Sequence, residues 1–187
     1  VVIVVGFALT IGDFSISFSD VYGFIWKHIT GTIDSNSVYE VRADYAIWDL
    51  RLPRICTGII AGIALGAAGA VMQSILRNPL ADPYTTGISS GASFGASLAM
   101  GVGITVAGMG YAIVINAFVF ALIPMVIIIL VSKLKGASPT TMVMAGIAVM
   151  YIFNAMTTLI KLWSDADTLA MIYAWSVGSI DGVDWDE

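Results

Sequence analysis

Long apolar runs constrain this chain more than any other feature of its sequence. They cover 52–76, 85–108, 111–131 and 140–163. An α-helix that crosses the roughly 30 Å hydrocarbon layer of a bilayer needs about 20 mostly apolar residues. Each run therefore predicts one complete transmembrane helix. A fifth apolar stretch, at 1–12, is too short to span alone, and we interpret it as the end of a truncated helix rather than as a signal-peptide core.

Composition excludes most other classes of protein. Hydrophobic residues make up 58% of the chain and charged residues only 11%, whereas a soluble globular domain carries about 25% charged residues. A single cysteine, Cys56, excludes a disulfide framework, and with only one histidine the chain offers no recognisable metal-ligand set. We expect an all-α, polytopic membrane protein with one domain, no directly bound cofactor or metal, and no nucleic-acid partner.

Charge predicts the orientation of the predicted helices. Their connections fall on two faces, with 77–84 and 132–139 on one face, and 13–50, 109–110 and the tail after Trp163 on the other. Lys and Arg are denser in the two short loops, and only Asp82 among the thirteen acids lies there. The positive-inside rule therefore places the short loops in the cytoplasm. Within the long segment, 21–29 is predicted to form an amphipathic helix on the membrane interface.

Small residues recur at a spacing of four in two predicted helices, as Gly58, Gly62 and Gly66, and as Gly87, Gly91 and Gly95. Close packing through small residues drives helix association in lipid, where little hydrophobic force acts between helices. Both series are therefore predicted to face neighbouring helices. The second series is also a candidate for a helix that moves beside a translocation path.

Three other functions are compatible with parts of the sequence. The stretches 87–91 and 91–95 fit G-x-S-x-G, the pattern of a serine nucleophile, which would make the protein an intramembrane serine protease. Such a serine needs a nearby base, yet the only histidine, His28, lies outside the predicted spans. Ionisable groups are absent from the helix centres, which disfavours an ion-driven carrier. A carrier and a membrane scaffold nevertheless stay open as alternatives.

Several ordered motifs are too particular for generic membrane packing. They are Arg51-Leu-Pro-Arg54, Gly69-Ala-Val-Met-Gln73, Asn78-Pro-Leu-Ala81-Asp-Pro83, Ala145-Gly-Ile-Ala148, Leu169-Ala-Met-Ile-Tyr-Ala-Trp175 and Gly182-Val-Asp-Trp185. Together they resemble the FecCD family of ABC importer permeases, the type II class that takes up ferric siderophores, haem and cobalamin. The resemblance runs from about residue 47 to 185. It implies the N-terminal half of a permease, with about five of ten helices.

The resemblance also implies how the protein works. It predicts a multi-pass subunit of the cytoplasmic membrane that forms a homodimer and moves a metal chelate by alternating access. ATP would be bound by separate ATP-binding cassette subunits, and an extracytoplasmic binding protein would deliver the substrate. The permease itself would not be an enzyme. The element that couples the family's permeases to ATP lies between their sixth and seventh helices, beyond this chain, and the sequence does not identify the chelate.

Arg51 and Arg54 are the candidate docking residues. They lie three residues apart at a predicted helix start, where Pro53 is tolerated, and guanidinium groups can receive carboxylates in bidentate hydrogen bonds. The resemblance implies that they bind glutamates on the two lobes of the binding protein. The alternative is that both side chains are snorkelling anchors at the membrane interface.

Other residues are assigned by the same resemblance. The cytoplasmic loop near the ATPase comprises Asn78, Pro79, Leu80, Ala81 and Pro83. The gate and path candidates are Ser138, Thr140, Thr141, Gly87, Gly91, Tyr173 and Trp175. An ordinary Ser-Pro helix start explains 138–141 equally well. A short extracytoplasmic helix is predicted over 168–176, opened by Asp165 or Asp167.

Overall fold

The computed structural model describes residues 1–106, 111–136 and 138–185, and its regular structure is helical throughout these ranges. The α-helices are α1 Val2–Thr10, α2 Phe18–Thr30, α3 Val38–Tyr45, α4 Leu52–Leu76, α5 Ile88–Val102, α6 Ala112–Lys135, α7 Pro139–Trp163 and α8 Ala166–Val177. A π-helical segment, Ala46–Arg51, joins α3 to α4, and a 3₁₀ helix, Pro83–Thr86, precedes α5. The all-α prediction is confirmed. The predicted turn at 109–110 lies outside the described residues.

Three helices are long and apolar enough to cross a membrane within the described part of the chain: Val38–Leu76, Ala112–Lys135 and Pro139–Trp163. The prediction of a complete span over 85–108 is wrong in its extent. At Gly87 and Gly103 the backbone takes φ values of +75° and +73°, a left-handed conformation that glycine adopts without strain and that interrupts a helix. The helix between them has 15 residues and is about 22 Å long, shorter than the hydrocarbon layer.

The chain divides into two compact units. The first contains residues 1–64 and 180–187, and the second contains residues 65–179. In the first unit, α2 contains the amphipathic segment predicted at 21–29, and its buried side chains Val21 and Phe24 join Leu9 of α1 and Ile47 of the π segment in one apolar core. One side of α2 is therefore covered by protein, while its Trp26 and Ile29 are 66% and 63% exposed.

The second unit is built around α5, which packs against α6, α7 and α8. A Cβ atom at Gly91 would lie 2.7 Å from the Phe120 carbonyl oxygen, and one at Gly95 would lie 2.5 Å from the Asn116 carbonyl oxygen. Because real Cβ atoms essentially never come so close to another atom, these glycines allow the backbones of α5 and α6 to touch. The prediction that the second glycine series faces neighbouring helices is confirmed.

A buried amide reinforces the same contact. The side chain of Asn116 is fully buried, and its Nδ2 donates to the carbonyl oxygens of Ile104 at 2.7 Å and Gly95 at 3.3 Å. Its Oδ1 accepts a hydrogen bond from the Val106 amide at 2.8 Å. One buried side chain of α6 thereby bonds to backbone groups within α5 and just after its end.

The first glycine series behaves differently. Within the described residues, a Cβ atom at Gly58, Gly62 or Gly66 would meet no other atom within 4 Å. The most apolar window of the helix Val38–Leu76 has none of its residues buried. The prediction that this series faces neighbouring helices is therefore not met by any helix among the described residues.

Candidate docking and gating sites

Arg51 and Arg54 do not lie at a helix start, contrary to the prediction. The chain is helical without interruption from Val38 to Leu76, and the π segment widens it just before Pro53. The Leu52 amide donates to the Ile47 carbonyl oxygen, five residues back. Proline has no amide hydrogen and its ring crowds the carbonyl four residues earlier, so a wider turn accommodates it. π segments of this kind are frequent at functional sites.

The Arg51 side chain donates hydrogen bonds to backbone carbonyl groups of its own unit. Its Nη1 donates to the Leu9 carbonyl oxygen at 2.6 Å, and its Nη2 donates to the Phe14 carbonyl oxygen at 2.5 Å. Gly12, with φ +149°, permits this approach, since a Cβ atom there would lie 2.7 Å from Nη2. Arg51 therefore ties the segment after α1 to the beginning of α4. Its docking role stays a prediction.

Arg54 is paired with a carboxylate that faces water. Its Nη1 lies 3.0 Å from Asp181 Oδ1, and the two side chains are 37% and 80% exposed. An ion pair this open to solvent contributes only about 0.2–1 kcal/mol. Arg54 also borders an open cavity of about 480 Å³, whose other lining residues include Tyr45, Asp49, Leu50, Asp184 and Trp185. Its surroundings are therefore acidic and aromatic.

An aromatic stack holds the far end of the segment that carries Asp181. The Trp185 indole Nε1 donates to the Trp48 carbonyl oxygen at 2.9 Å, and the two rings are 5.6 Å apart. Trp48 in turn stacks on His28 at 4.0 Å, and His28 Nδ1 lies 2.8 Å from Asp44 Oδ1. Sequence reasoning missed this arrangement because no periodicity relates Trp48 to Trp185 along the chain.

The loop containing Asn78, Pro79, Leu80, Ala81 and Pro83 is held by its own side chains. Asn78 Oδ1 accepts from the Leu80 amide at 2.9 Å, and Asp82 Oδ1 accepts from the Tyr84 amide at 2.7 Å. Such Asx turns restrict a loop without burying it. Leu80 is 87% exposed. The loop therefore presents an apolar side chain on a restrained backbone, which suits a contact with another protein.

The candidate gate residues at 138–141 form a helix start. Ser138 Oγ accepts from the Thr141 amide at 3.1 Å and lies 2.8 Å from Thr141 Oγ1, while Pro139 occupies the first turn of α7. This is the N-cap geometry of an ordinary helix. Thr140 and Asn78 line one open cavity. The structure thus brings together the two regions that were predicted to lie near the cytoplasm.

The remaining path candidates divide into packed and open positions. Gly87 is buried, and a Cβ atom there would lie 3.0 Å from the Gly146 carbonyl oxygen. It is a helix contact, as Gly91 is. By contrast, Tyr173 of α8 is exposed, and its ring centroid lies 4.3 Å from the Lys161 ammonium nitrogen. Trp175, on the same helix, is half-buried.

Asp165, rather than Asp167, caps α8. Its Oδ1 accepts from the Thr168 amide and its Oδ2 from the Thr168 hydroxyl, both at 2.9 Å. These hydrogen bonds to Thr168 lower the pKa of the Asp165 carboxyl below its ordinary value. The helix it opens runs over Ala166–Val177, longer at both ends than predicted.

The G-x-S-x-G matches have a structural explanation in α5. A nucleophile elbow places its serine on a sharp turn between a strand and a helix. Here the first glycine follows the 3₁₀ helix Pro83–Thr86, and both serines, Ser89 and Ser93, lie within α5. The glycines of the pattern are the residues that contact α6 and α7. Helix packing therefore accounts for the pattern without an activated serine.

Comparison with known proteins agrees with this architecture. The sequence model of the FecCD transport family matches residues 1–187, so the match includes the segment before residue 47. A protein of Methanocaldococcus jannaschii described as an ABC transporter permease is 40% identical over 190 residues, which cover 97% of this chain and 52% of the relative.

A solved structure gives the same result. It is described as a metal-chelate type ABC transporter in an inward-facing conformation, and it is 27% identical with a TM-score of 0.76. The alignment covers 99% of this chain and 52% of that one, so the chain spans about half the length of either relative. Since the family's sequence model matches from the first residue to the last, this chain belongs to the FecCD transport family.

Proposed function

We propose that this chain forms the N-terminal half of the permease subunit of an ATP-driven importer that carries a metal chelate across the cytoplasmic membrane. Ferric siderophores, haem and cobalamin-like compounds are the candidate substrates. The observation that carries the proposal is the family match over residues 1–187. The fold shared with a metal-chelate type transporter at a TM-score of 0.76 supports it. The permease catalyses no covalent chemistry, and partner subunits hydrolyse the ATP.

In this proposal the short loops face the cytoplasm and meet the ATP-binding cassette subunits. The exposed side chain of Leu80, on a loop restrained by Asn78, supports a contact there. The gate region at Ser138, Thr140 and Thr141 lies next to this loop, because Asn78 and Thr140 share a cavity. Movement of the cassette subunits would therefore reach the beginning of α7 directly.

On the opposite face, Arg51 and Arg54 dock the extracytoplasmic binding protein, and α8 borders the mouth of the path with Tyr173 and Trp175. Two permease subunits enclose the path. ATP binding shifts them between inward-open and outward-open states, because the cassette subunits bind one state better than the other. Gly87 and Gly91 contribute through the close contacts of α5, which then moves together with the helices packed on it.

The proposal is tested by reconstituting a complete transporter that carries this sequence in lipid nanodiscs. ATP hydrolysis is measured with the binding protein loaded with a ferric siderophore, haem or cobalamin. We expect one of these loaded forms to raise the hydrolysis rate. If the binding protein and all three chelates leave the rate unchanged, the proposed function is contradicted.

Replacing Leu80 tests the proposed contact with the cassette subunits. Leu80→Ser should weaken their binding by about fivefold, which corresponds to about 1 kcal/mol, the threshold that marks an energetically important interface residue. Binding is measured by titrating the purified cassette subunits onto the permease. Leu162→Ser is the matched control. Leu162 is also largely exposed, at 73%, and lies near the end of α7, whereas the Leu80 loop lies near its beginning. Equal losses in the two variants would argue against a specific contact at Leu80.

A further inference from the structure

We propose that Asp181 is a resident counter-ion of Arg54 and that docking is an exchange, in which a carboxylate of the binding protein replaces Asp181 on the guanidinium. The inference rests on the proposed function, because it takes Arg54 to face the binding protein. It adds a residue that regulates docking, and it assigns different roles to Arg51 and Arg54.

The hydrogen bonds of the two arginines separate these roles. Both terminal nitrogens of Arg51 donate to backbone carbonyl oxygens, of Leu9 and Phe14. A partner that took these donors would leave two carbonyl groups without their hydrogen bonds, at a cost in stability. Arg54 holds only a solvent-exposed carboxylate, which water can replace readily. Arg54 is therefore the readily exchangeable cation of the docking pair, whereas a carboxylate that docks on Arg51 must also compete with two backbone hydrogen bonds.

Arg54 also has an unused donor. Its Nε is buried and makes no hydrogen bond to the described residues. A buried donor without a partner is costly, and a carboxylate that engages two guanidinium donors binds more strongly than one that engages a single donor. A partner glutamate or aspartate that engaged two donors would therefore bind Arg54 better than Asp181 does, and engaging Nε would require the groups that cover it to move.

The charges beside Arg54 explain why docking requires exchange rather than simple addition. Asp49 and Asp184 line the same cavity, and Asp181 contacts the guanidinium itself. The negative charges that line this cavity disfavour the addition of a further carboxylate. Asp181 and Asp184 both belong to the segment 180–185, which we call the acidic segment. Moving this one segment would remove two of the three negative charges from the site.

Two of the contacts that hold the acidic segment differ in character. At one end is the ion pair between Asp181 and Arg54. At the other end, Trp185 donates to the Trp48 carbonyl oxygen and contacts the Trp48 ring. Docking competes directly with the ion pair, while the tryptophan contact can keep the segment attached to the helix. The exchange therefore does not require the segment to leave the unit.

The test is the affinity of the binding protein for a complete transporter in nanodiscs, measured at low and at high salt. Asp181→Asn should tighten binding by about two- to fivefold at low salt, the range expected from removing a competing exposed ion pair. The gain should shrink at high salt, where exposed charges are screened. It should vanish when Arg54→Gln is present as well. The matched controls are Asp20→Asn and Arg42→Gln, which remove an acid and a base elsewhere in the same unit.

The outcomes distinguish this inference from the proposed function. If Arg54→Gln binds as well as the Arg42→Gln control, the docking function of Arg54 fails and the inference fails with it. If Arg54→Gln weakens binding but Asp181→Asn equals Asp20→Asn, docking stands and the exchange is refuted. Weaker binding by Asp181→Asn would also refute it, because Asp181 would then position Arg54 rather than compete for it. Basal ATP hydrolysis by each variant checks that the transporter is folded.

Discussion

The two glycine series look alike in the sequence and differ completely in the structure. Gly87, Gly91 and Gly95 lie where α5 meets α6 and α7, with backbone atoms at distances that exclude a side chain. Gly58, Gly62 and Gly66 recur at the same spacing in α4, yet nothing in the described residues lies within 4 Å of where their Cβ atoms would be.

The difference shows that spacing predicts a capacity for close packing but not the partner. A helix brings small residues at a spacing of four onto one face, and this holds for α4 and α5 equally. Close contact also needs a second helix with complementary backbone and hydrogen-bonding groups. For α5 that helix is α6, where Asn116 supplies both a close carbonyl group and a buried amide.

The largest effect should come from adding a side chain at the packed series. Gly95→Val should lower the free energy of unfolding by about 3 kcal/mol, because overpacking at a backbone contact forces helices apart. The Asn116 carbonyl oxygen, 2.5 Å from the new Cβ, cannot move aside without shifting α6. Unfolding is followed by circular dichroism in detergent micelles as denaturant increases.

Gly62→Val is the matched control, because its Cβ would enter open space. It should leave the stability of this chain unchanged or raise it slightly, since valine favours a helix more than glycine does. If both variants were destabilised equally, the structural distinction between the two series would be wrong.

A smaller loss is expected from removing the amide that accompanies the packed contact. Asn116→Ala should destabilise the chain by about 2 kcal/mol, because it removes the three hydrogen bonds that a fully buried amide makes to backbone groups of Gly95, Ile104 and Val106. The same unfolding titration measures it. Asn154→Ala, at an exposed position of α7, is the control and should change stability little. If the two variants lost comparable free energies of unfolding, the burial of the Asn116 amide would not explain its contribution to stability.

The smallest effect concerns the N-cap of α8, which packs against α5 within the second unit. Hydrogen bonds to Thr168 lower the folded-state pKa of Asp165, so its contribution to stability is fully present above the unfolded-state pKa of about 3.9. It should be lost as the pH falls through the lower, folded-state pKa.

The measurement compares the unfolding midpoint of the wild-type chain with that of Asp165→Asn from pH 7 down to pH 3. Asparagine can cap the helix but does not titrate. The advantage of the wild type should therefore decline with acidification, and an advantage that grew would contradict the assignment of Asp165 as the cap.

The sequence predicted the helices well because their signals are local. The apolar run at 52–76 coincides with the bounds of α4, and the run at 140–163 differs from α7 by one residue. The length of the helix in the 85–108 run was overestimated because hydropathy carries no information about backbone φ values. Gly87 and Gly103 do not interrupt the apolar run, yet their positive φ values mark the two ends of α5.

The candidate docking site was less accessible to sequence reasoning. The motif Arg51-Leu-Pro-Arg54 was recognisable, but its two arginines contact different groups that are distant in the sequence. Arg51 binds carbonyl oxygens 42 and 37 residues away, and Asp181 is brought to Arg54 by the fold. No local pattern encodes such contacts, so the different surroundings of the two arginines are visible only in the structure.

Chelate uptake into proteoliposomes tests the central claim most directly. A complete transporter that carries this sequence is reconstituted with its cassette subunits and binding protein, and accumulation of a labelled chelate is followed. We predict accumulation that requires ATP on the cassette side and continues without any ion gradient. Accumulation driven by a proton or sodium gradient in the absence of ATP would contradict the account and favour an ion-driven carrier.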